Sequence, residues 1–130
     1  MAFILNSNTV INDNRVFFPV NSAEKVSNLT ISSNTITIDL DTATVFNVAV
    51  TTDIETITVA NAQSTGLTSS FVLITEGDGS TYTITWPASF KWPDNTAPTY
   101  TSTNTKKDVY TFFTVDGGTS WQSFIAGQNL

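Results

Sequence analysis

The chain has 130 residues, which suits one domain that can bury a hydrophobic core. It contains neither Cys nor His, which excludes disulfides and thiolate metal sites and removes the commonest general base. Five basic residues against eleven acidic ones give a formal net charge of −6, so we expect no binding to nucleic acid or to an anionic membrane.

The N-terminal part, residues 1–34, has the weakest pattern. Its apolar start contains Phe3, Ile4 and Leu5 but is too short for a signal peptide or a membrane span. Residues 11–14 are typical of a turn, and residues 15–20 of a short edge strand. We therefore predict an N-terminal arm and edge segment over 1–34 and a folded domain over 35–130.

The folded part alternates between apolar and polar residues with a period of two. This alternation predicts strands at 35–40, 44–50, 55–59 and 81–86, whereas 71–74 is a continuous apolar run. Gly-rich segments at 76–80 and 116–118 predict hairpin turns, the second of them joining strands at 109–115 and 120–125. No helical period and no repeat of 20–50 residues is apparent. The pattern predicts an all-β single domain, an antiparallel β-sandwich or jelly roll.

Two Trp-Pro pairs follow the predicted strand at 81–86. Pro cannot donate to a strand ladder and pushes the preceding residue into an extended conformation. We therefore expect Trp86 and Trp92 at strand ends or on a sheet edge, buried and mainly structural.

The acidic residues offer little chemistry. Two carboxylates across a cleft could act as a glycosidase pair, but nearly all the candidates lie in or beside predicted turns. Glu76, Asp78 and Ser80 have a spacing that could bind Ca²⁺, although two carboxylates are too few for a tight site. We expect no enzyme activity, no metal and no cofactor. The carboxylates considered are Asp39, Asp41, Asp53, Glu55, Glu76, Asp78 and Asp116.

Aromatic residues concentrate in the last third of the chain. On the predicted strand 109–115, Tyr110 and Phe112 share one side, whereas Val109, Thr111 and Phe113 share the other. A strand that is apolar on both faces needs cover on both. Core packing alone, a subunit interface and a sugar-stacking platform all remain open. The interface would comprise Val109, Tyr110, Phe112, Phe113, Trp121 and Phe124.

Residues 66–127 carry a further pattern. Thr-Trp-Pro at 85–87 is followed by Lys-Trp-Pro at 91–93, Asp-Val-Tyr-Thr-Phe-Phe-Thr at 108–114 and Asp-Gly-Gly-Thr-Ser-Trp at 116–121. In order and spacing this combination resembles a domain of bacteriophage virion structural proteins, found in tail fibres, tail tips and other virion parts. That family usually has Gly-Gly where this chain has Asp-Asn at 94–95.

The resemblance implies a virion part that is often a homotrimer. We expect a capsid decoration (cement) protein or surface knob, assembled in the host cytoplasm and located on the virion surface. The small single domain has no shaft to extend a fibre, which favours this choice. Its partners would be major capsid or tail proteins, with Phe3, Ile4 and Leu5 as an attachment arm. The alternatives are a tail-fibre or tail-tip component that contacts the receptor, and a carbohydrate-binding β-sandwich module for a host surface glycan.

Overall fold

The computed structural model describes residues 3–5, 8–11 and 23–130. Strands dominate, and the only helix in this part of the chain is a 3₁₀ turn at Pro93–Asn95. The strands are β1 (Phe3–Leu5), β2 (Asn8–Ile11), β3 (Val26–Leu29), β4 (Thr35–Asp39), β5 (Val45–Val50), β6 (Thr56–Ala60), β7 (Ser69–Gly77), β8 (Phe90–Lys91), β9 (Lys107–Thr114) and β10 (Trp121–Gly127). The all-β prediction is confirmed.

A six-stranded sheet in the order β3-β5-β7-β9-β10-β8 forms the main layer. Strands β3, β5 and β7 pair in parallel, and so do β10 and β8. Only β9 runs in the opposite direction, antiparallel to both of its neighbours. The predicted antiparallel pairing is therefore wrong for three of the five strand pairs in this sheet. Parallel pairing arises because the chain leaves the sheet between β3, β5 and β7 and returns in the same direction.

The excursions out of this sheet build a second, two-stranded sheet from β4 and β6, which also pair in parallel. The chain thus visits the two sheets in alternation, and residues 26–39 and 45–60 form two stacked coils. Thr-Ile-Thr-Ile at 35–38 lies in register on Thr-Ile-Thr-Val at 56–59. This two-unit repeat was missed in the sequence, because it is short and its flanking segments differ.

The N-terminal part contributes to the sheet. Strand β3 lies within the segment predicted as an arm, yet it forms one edge of the six-stranded sheet beside β5. Strands β1 and β2 pair with each other in antiparallel fashion. The edge strand predicted at 15–20 lies outside the described residues.

One hydrophobic core joins the two sheets. Residues of the small sheet, such as Ile36 and Ile38, belong to the same buried cluster as Phe71 and Phe112 of the large sheet. The inward residues alternate with outward ones along β4, β5, β7 and β9, as the period of two requires. The cluster comprises Ile36, Ile38, Ala43, Phe46, Val48, Val50, Ile54, Ile57, Phe71, Leu73, Phe90, Trp92, Tyr100, Tyr110, Phe112 and Trp121.

The two Trp-Pro segments close the core beside the short strand β8. Trp92 follows β8 directly and is buried, whereas Trp86 lies outside the strands and is half-buried. The Trp86 indole N–H donates to the carbonyl of Pro98 at 2.9 Å. The Trp86 ring packs edge-on against Trp92 at 5.1 Å and against Tyr110 at 5.0 Å between ring centroids. Both rings therefore have a structural role, although the prediction of a strand end holds only for Trp92.

Of the two predicted hairpins, only the second forms. Asp116 closes the turn between β9 and β10: its carboxylate accepts hydrogen bonds from the Ser120 hydroxyl at 2.6 Å, the Ser120 N–H at 2.9 Å and the Thr114 hydroxyl at 2.7 Å. These bonds, first of all those from Ser120, lower the pKa of Asp116 to about 2.

The hairpin predicted at 76–80 is wrong. Strand β7 ends at Gly77, where a Cβ would lie 2.6 Å from the backbone of Ser102, so the 102–103 segment occupies the space beside the strand end. The strand predicted at 81–86 is reduced to a single parallel bridge between Ile84 and Ile54. The alternation there reflects packing of Tyr82, Ile84 and Trp86 against the core rather than a paired strand.

Candidate interaction surface

The six-stranded sheet has a second face, turned away from the core, which we call the outer face. In its two central strands, Val72 and Ile74 of β7 and Val109 and Thr111 of β9 point to this face and are only partly buried. The strand that sequence predicted to be apolar on both faces is therefore covered by the core on one side only. Within residues 23–130, the only strands outside this sheet are β4 and β6, and they lie on its core side.

Two aromatic rings stand on this face where β9 meets β10. Phe113 is 38% exposed and Phe124 is 45% exposed. Their rings stack nearly parallel, at 9°, with centroids 6.3 Å apart. Exposed aromatic rings that adjoin a row of aliphatic side chains are typical of an interaction surface rather than of a solvated one.

Strand register arranges the outer face in rows that cross the sheet. The apolar row, as we call it, is continuous from β3 to β10, and four of its five members are hydrophobic. The residues at its two ends are its most exposed members: Val26 is 53% exposed and Phe124 is 45% exposed. In order, the apolar row is Val26, Val45, Val72, Thr111 and Phe124.

The neighbouring row ends in opposite charges, and we call it the charged row. In strand register, Lys91 on β8 lies opposite Gln122 on β10, and Gln122 lies opposite Phe113 on β9. Phe113 in turn lies opposite Ser70 on β7. At the β3 side the row reaches Glu24, which lines the same shallow hollow as Ser70 and Phe113. The Glu24 carboxylate accepts a hydrogen bond from the Thr44 hydroxyl at 2.8 Å. The charged row therefore runs from a carboxylate at one sheet edge to an ammonium group at the other.

Polar contacts border the opposite end of the outer face. Glu76 and Lys107 form an ion pair at 3.2 Å across β7 and β9. The Asn47 amide donates to the Asn28 side chain at 3.1 Å, across β5 and β3. Exposed pairs of this kind add little stability. They give the face an apolar centre and a polar border, the usual anatomy of a protein interface.

The predicted interface residues divide between the two faces of the sheet. Val109, Phe113 and Phe124 lie on the outer face. Tyr110, Phe112 and Trp121, by contrast, are each 2% exposed or less, because they occupy the alternate, inward positions of their strands. Tyr110, Phe112 and Trp121 therefore belong to the core of the chain itself. Only the three residues on the outer face can contribute to an interaction surface.

The predicted attachment arm contains strand β1. Phe3, Ile4 and Leu5 form this strand and pair with β2. Their side chains lie outside the described residues, so their role as an attachment device stays a prediction.

Five of the seven carboxylates considered for catalysis or Ca²⁺ binding are engaged in local contacts. Asp78 accepts a hydrogen bond from the Ser80 N–H at 2.8 Å, while Glu76 pairs with Lys107. Asp39 accepts from the Asn61 amide at 2.6 Å. Among the described residues, no group of three or more potential metal ligands comes together.

The sequence patterns missed one acidic residue of structural importance. Asp108 is 1% exposed, and its carboxylate accepts hydrogen bonds from the N–H groups of Thr101 at 2.5 Å and Asn129 at 2.9 Å, and from the Tyr110 hydroxyl at 3.0 Å. Burial alone would raise the pKa of Asp108, but these hydrogen bonds outweigh it and hold the pKa below its ordinary value of 3.8. The signal was available, since Asp108 has the same inward parity as Tyr110 and Phe112.

Comparison of the chain with protein-family models, with curated proteins and with solved structures found no match. None of the helical structure in the described residues is long and apolar enough to span a membrane.

Proposed function

We propose that the chain is a bacteriophage virion structural protein, a homotrimeric capsid decoration or surface knob subunit that works by adhesion rather than by catalysis. Its partners are further copies of itself and the major capsid protein or tail proteins, and it resides on the virion surface. The observation that carries this proposal is the outer face, where Val72, Val109, Phe113 and Phe124 form an apolar area that the core does not cover.

The resemblance of residues 66–127 to virion domains supports the proposal that the protein is part of a bacteriophage virion. The structure gives the motifs of that resemblance a common structural role. Trp86 and Trp92 pack together against Tyr110, and Asp116 closes the β9–β10 turn. Residues that hold together one core and one hairpin are the kind that a domain retains when its surface changes. The two sheets, which share this core, would form the layers of a β-sandwich.

A tail-fibre or tail-tip component is the second candidate, and the stacked coils favour it. Parallel stacking of β3 on β5 and of β4 on β6 is an arrangement that extends by adding coils. With two such coils the domain remains short, so we place decoration first.

A carbohydrate-binding module has less support. Aromatic rings that bind sugars need an open face, whereas Trp92 and Trp121 are buried and Trp86 is half-buried between Trp92 and Tyr110.

The test is to add purified, fluorescently labelled protein to phage particles that lack it and to reconstruct the particles at low resolution. Decoration predicts many copies distributed over the capsid, whereas a tail component predicts density at one vertex only. A protein that binds no part of the particle, but binds host glycans, would contradict the proposal. Deletion of residues 1–5 should abolish binding to the particle if the arm is the attachment device.

A further inference from the structure

We infer that copies of this chain associate through their outer faces, around an axis parallel to the central strands β7 and β9, so that Glu24 of one copy lies beside Lys91 of the next. This inference rests on the proposed homotrimer and specifies its contact surface.

The charged row is complementary in charge to the same row of a neighbouring copy. Glu24 lies at the β3 edge of the sheet and Lys91 on β8 at the other edge, in one row across the strands. Rotation about an axis parallel to the strands keeps every residue at its height along that axis. It therefore brings the β3 edge of one copy to the β8 edge of another with these two charges at the same level, and with opposite sign.

The apolar row is complementary to the apolar row of a neighbouring copy in the same way. Its ends, Val26 and Phe124, are both about half exposed. Val26 lies on the edge strand β3, and Phe124 lies on β10, which is the outermost strand at that height because the two-residue β8 pairs only with Trp121 and Gln122. The rotation that places Glu24 beside Lys91 places Val26 beside Phe124 of the next copy. Two adjacent rows, one charged and one apolar, thus require the same neighbour in the same register.

The width of the outer face also suits a three-fold arrangement. Six strands about 4.8 Å apart give a face about 24 Å wide. Three such faces around a three-fold axis would each lie about 7 Å from the axis. For comparison, two sheets packed face to face lie about 10 Å from each other. Branched side chains on the three faces can largely fill the space between the faces and the axis. The residues nearest the axis would be Val72, Ile74, Val109 and Thr111, which are of this kind.

The borders of the face fit the same arrangement. The ion pair of Glu76 with Lys107 lies at the strand end farthest from the charged row, on the two central strands. Around the axis, each copy would present one carboxylate and one ammonium group at equal height, so no like charges need face each other. Phe113 and Phe124 lie on the β9–β10 side and would pack against the β3–β5 side of the neighbour.

The experiment is a charge exchange in the full-length chain, with mass measured by light scattering and sedimentation at micromolar concentration. We expect the unchanged chain to be a trimer. Glu24→Lys and Lys91→Glu should each weaken association by about tenfold, because each places like charges together. The double variant should restore association to within about threefold of the original. Glu55→Lys, an equal charge change at an exposed site on the segment before β6, is the matched control and should leave association unchanged.

Phe124→Ser tests the apolar row independently and should shift the protein towards monomer. The unfolding midpoint of each variant, measured by circular dichroism, must remain close to that of the original, since the side chains at 24, 91 and 124 are exposed. A monomeric unchanged chain, or a double variant as weak as its single variants, would overturn the inference. A monomer that still decorates particles would overturn the inference and the homotrimer of the proposed function but not the decoration role, whereas a trimer of this design that binds no particle would overturn only the decoration role.

Discussion

Asp108 shows how one buried side chain ties separate segments together. Its carboxylate joins the 99–101 segment to the C-terminal residues Gln128 and Asn129. The backbone of Leu130 pairs with that of Lys107, beside it. A buried carboxylate that accepts several N–H and O–H bonds favours its ionised form. The Asp108 carboxylate therefore holds the C-terminal segment together with the backbone pairing of Leu130 and Lys107.

We predict that Asp108→Asn lowers the free energy of unfolding by about 2–3 kcal/mol at neutral pH, because the amide places a donor where the carboxylate accepted hydrogen bonds. Urea denaturation measures this change. Asp41→Asn is the control, since Asp41 is exposed in a turn and its loss should cost about 0.5 kcal/mol at most.

The pH dependence of stability provides a second test of Asp108. Its pKa in the folded protein is lower than in the unfolded chain. The stabilisation is therefore complete above the unfolded pKa of about 4 and is lost as the pH falls through the folded pKa. The difference in stability between the original chain and Asp108→Asn should narrow as the pH falls from about 5 to 3. A difference that stays constant or widens over this range would contradict the role of the charge.

At the scale of elements, the stacked coils explain why the small sheet is stable. Two strands alone are marginal in water, but β4 and β6 place Ile36, Ile38 and Ile57 in the core of the large sheet. Parallel strands connected through another layer bring residues far apart in sequence into contact. The two sheets should therefore unfold together.

We predict that Ile38→Ala lowers the free energy of unfolding by about 2–5 kcal/mol, because Ile38 is fully buried. Thr37→Ala, on the exposed side of the same strand, should change it by about 0.5 kcal/mol or less. Chemical denaturation followed by tryptophan fluorescence reports on the core beside the large sheet, because Trp92 and Trp121 belong to this core and Trp86 packs against it. If Ile38→Ala left this transition unchanged, the small sheet would be an independent unit.

At the scale of the whole molecule, the secondary structure itself is open to measurement. We predict a far-UV circular dichroism spectrum dominated by strand and irregular structure. A helix content above about a quarter, near the average of soluble proteins, would contradict the fold.

Sequence patterns identified strand positions well where alternation was strict. Predicted segments at 35–40, 44–50 and 55–59 correspond to β4, β5 and β6, and the hairpin at 116–118 joins β9 to β10. They failed at 81–86, where alternation reflects packing on the core without a partner strand. For the candidate surface, alternation placed Val109 and Phe113 together on one face but could not say which face was the core.

The sequence by itself determined the class of the fold and which residues share a face of the strictly alternating strands, because a period of two depends only on local geometry. Only the tertiary structure decided which strands pair and in which direction, since pairing depends on how the chain crosses between sheets. It also decided which aromatic residues are in the core: Tyr110, Phe112 and Trp121 are buried, whereas Phe113 and Phe124 are exposed. The two rows that end in Val26 and Phe124 and in Glu24 and Lys91 exist only through strand register, which brings together residues about 70 to 100 positions apart in the chain.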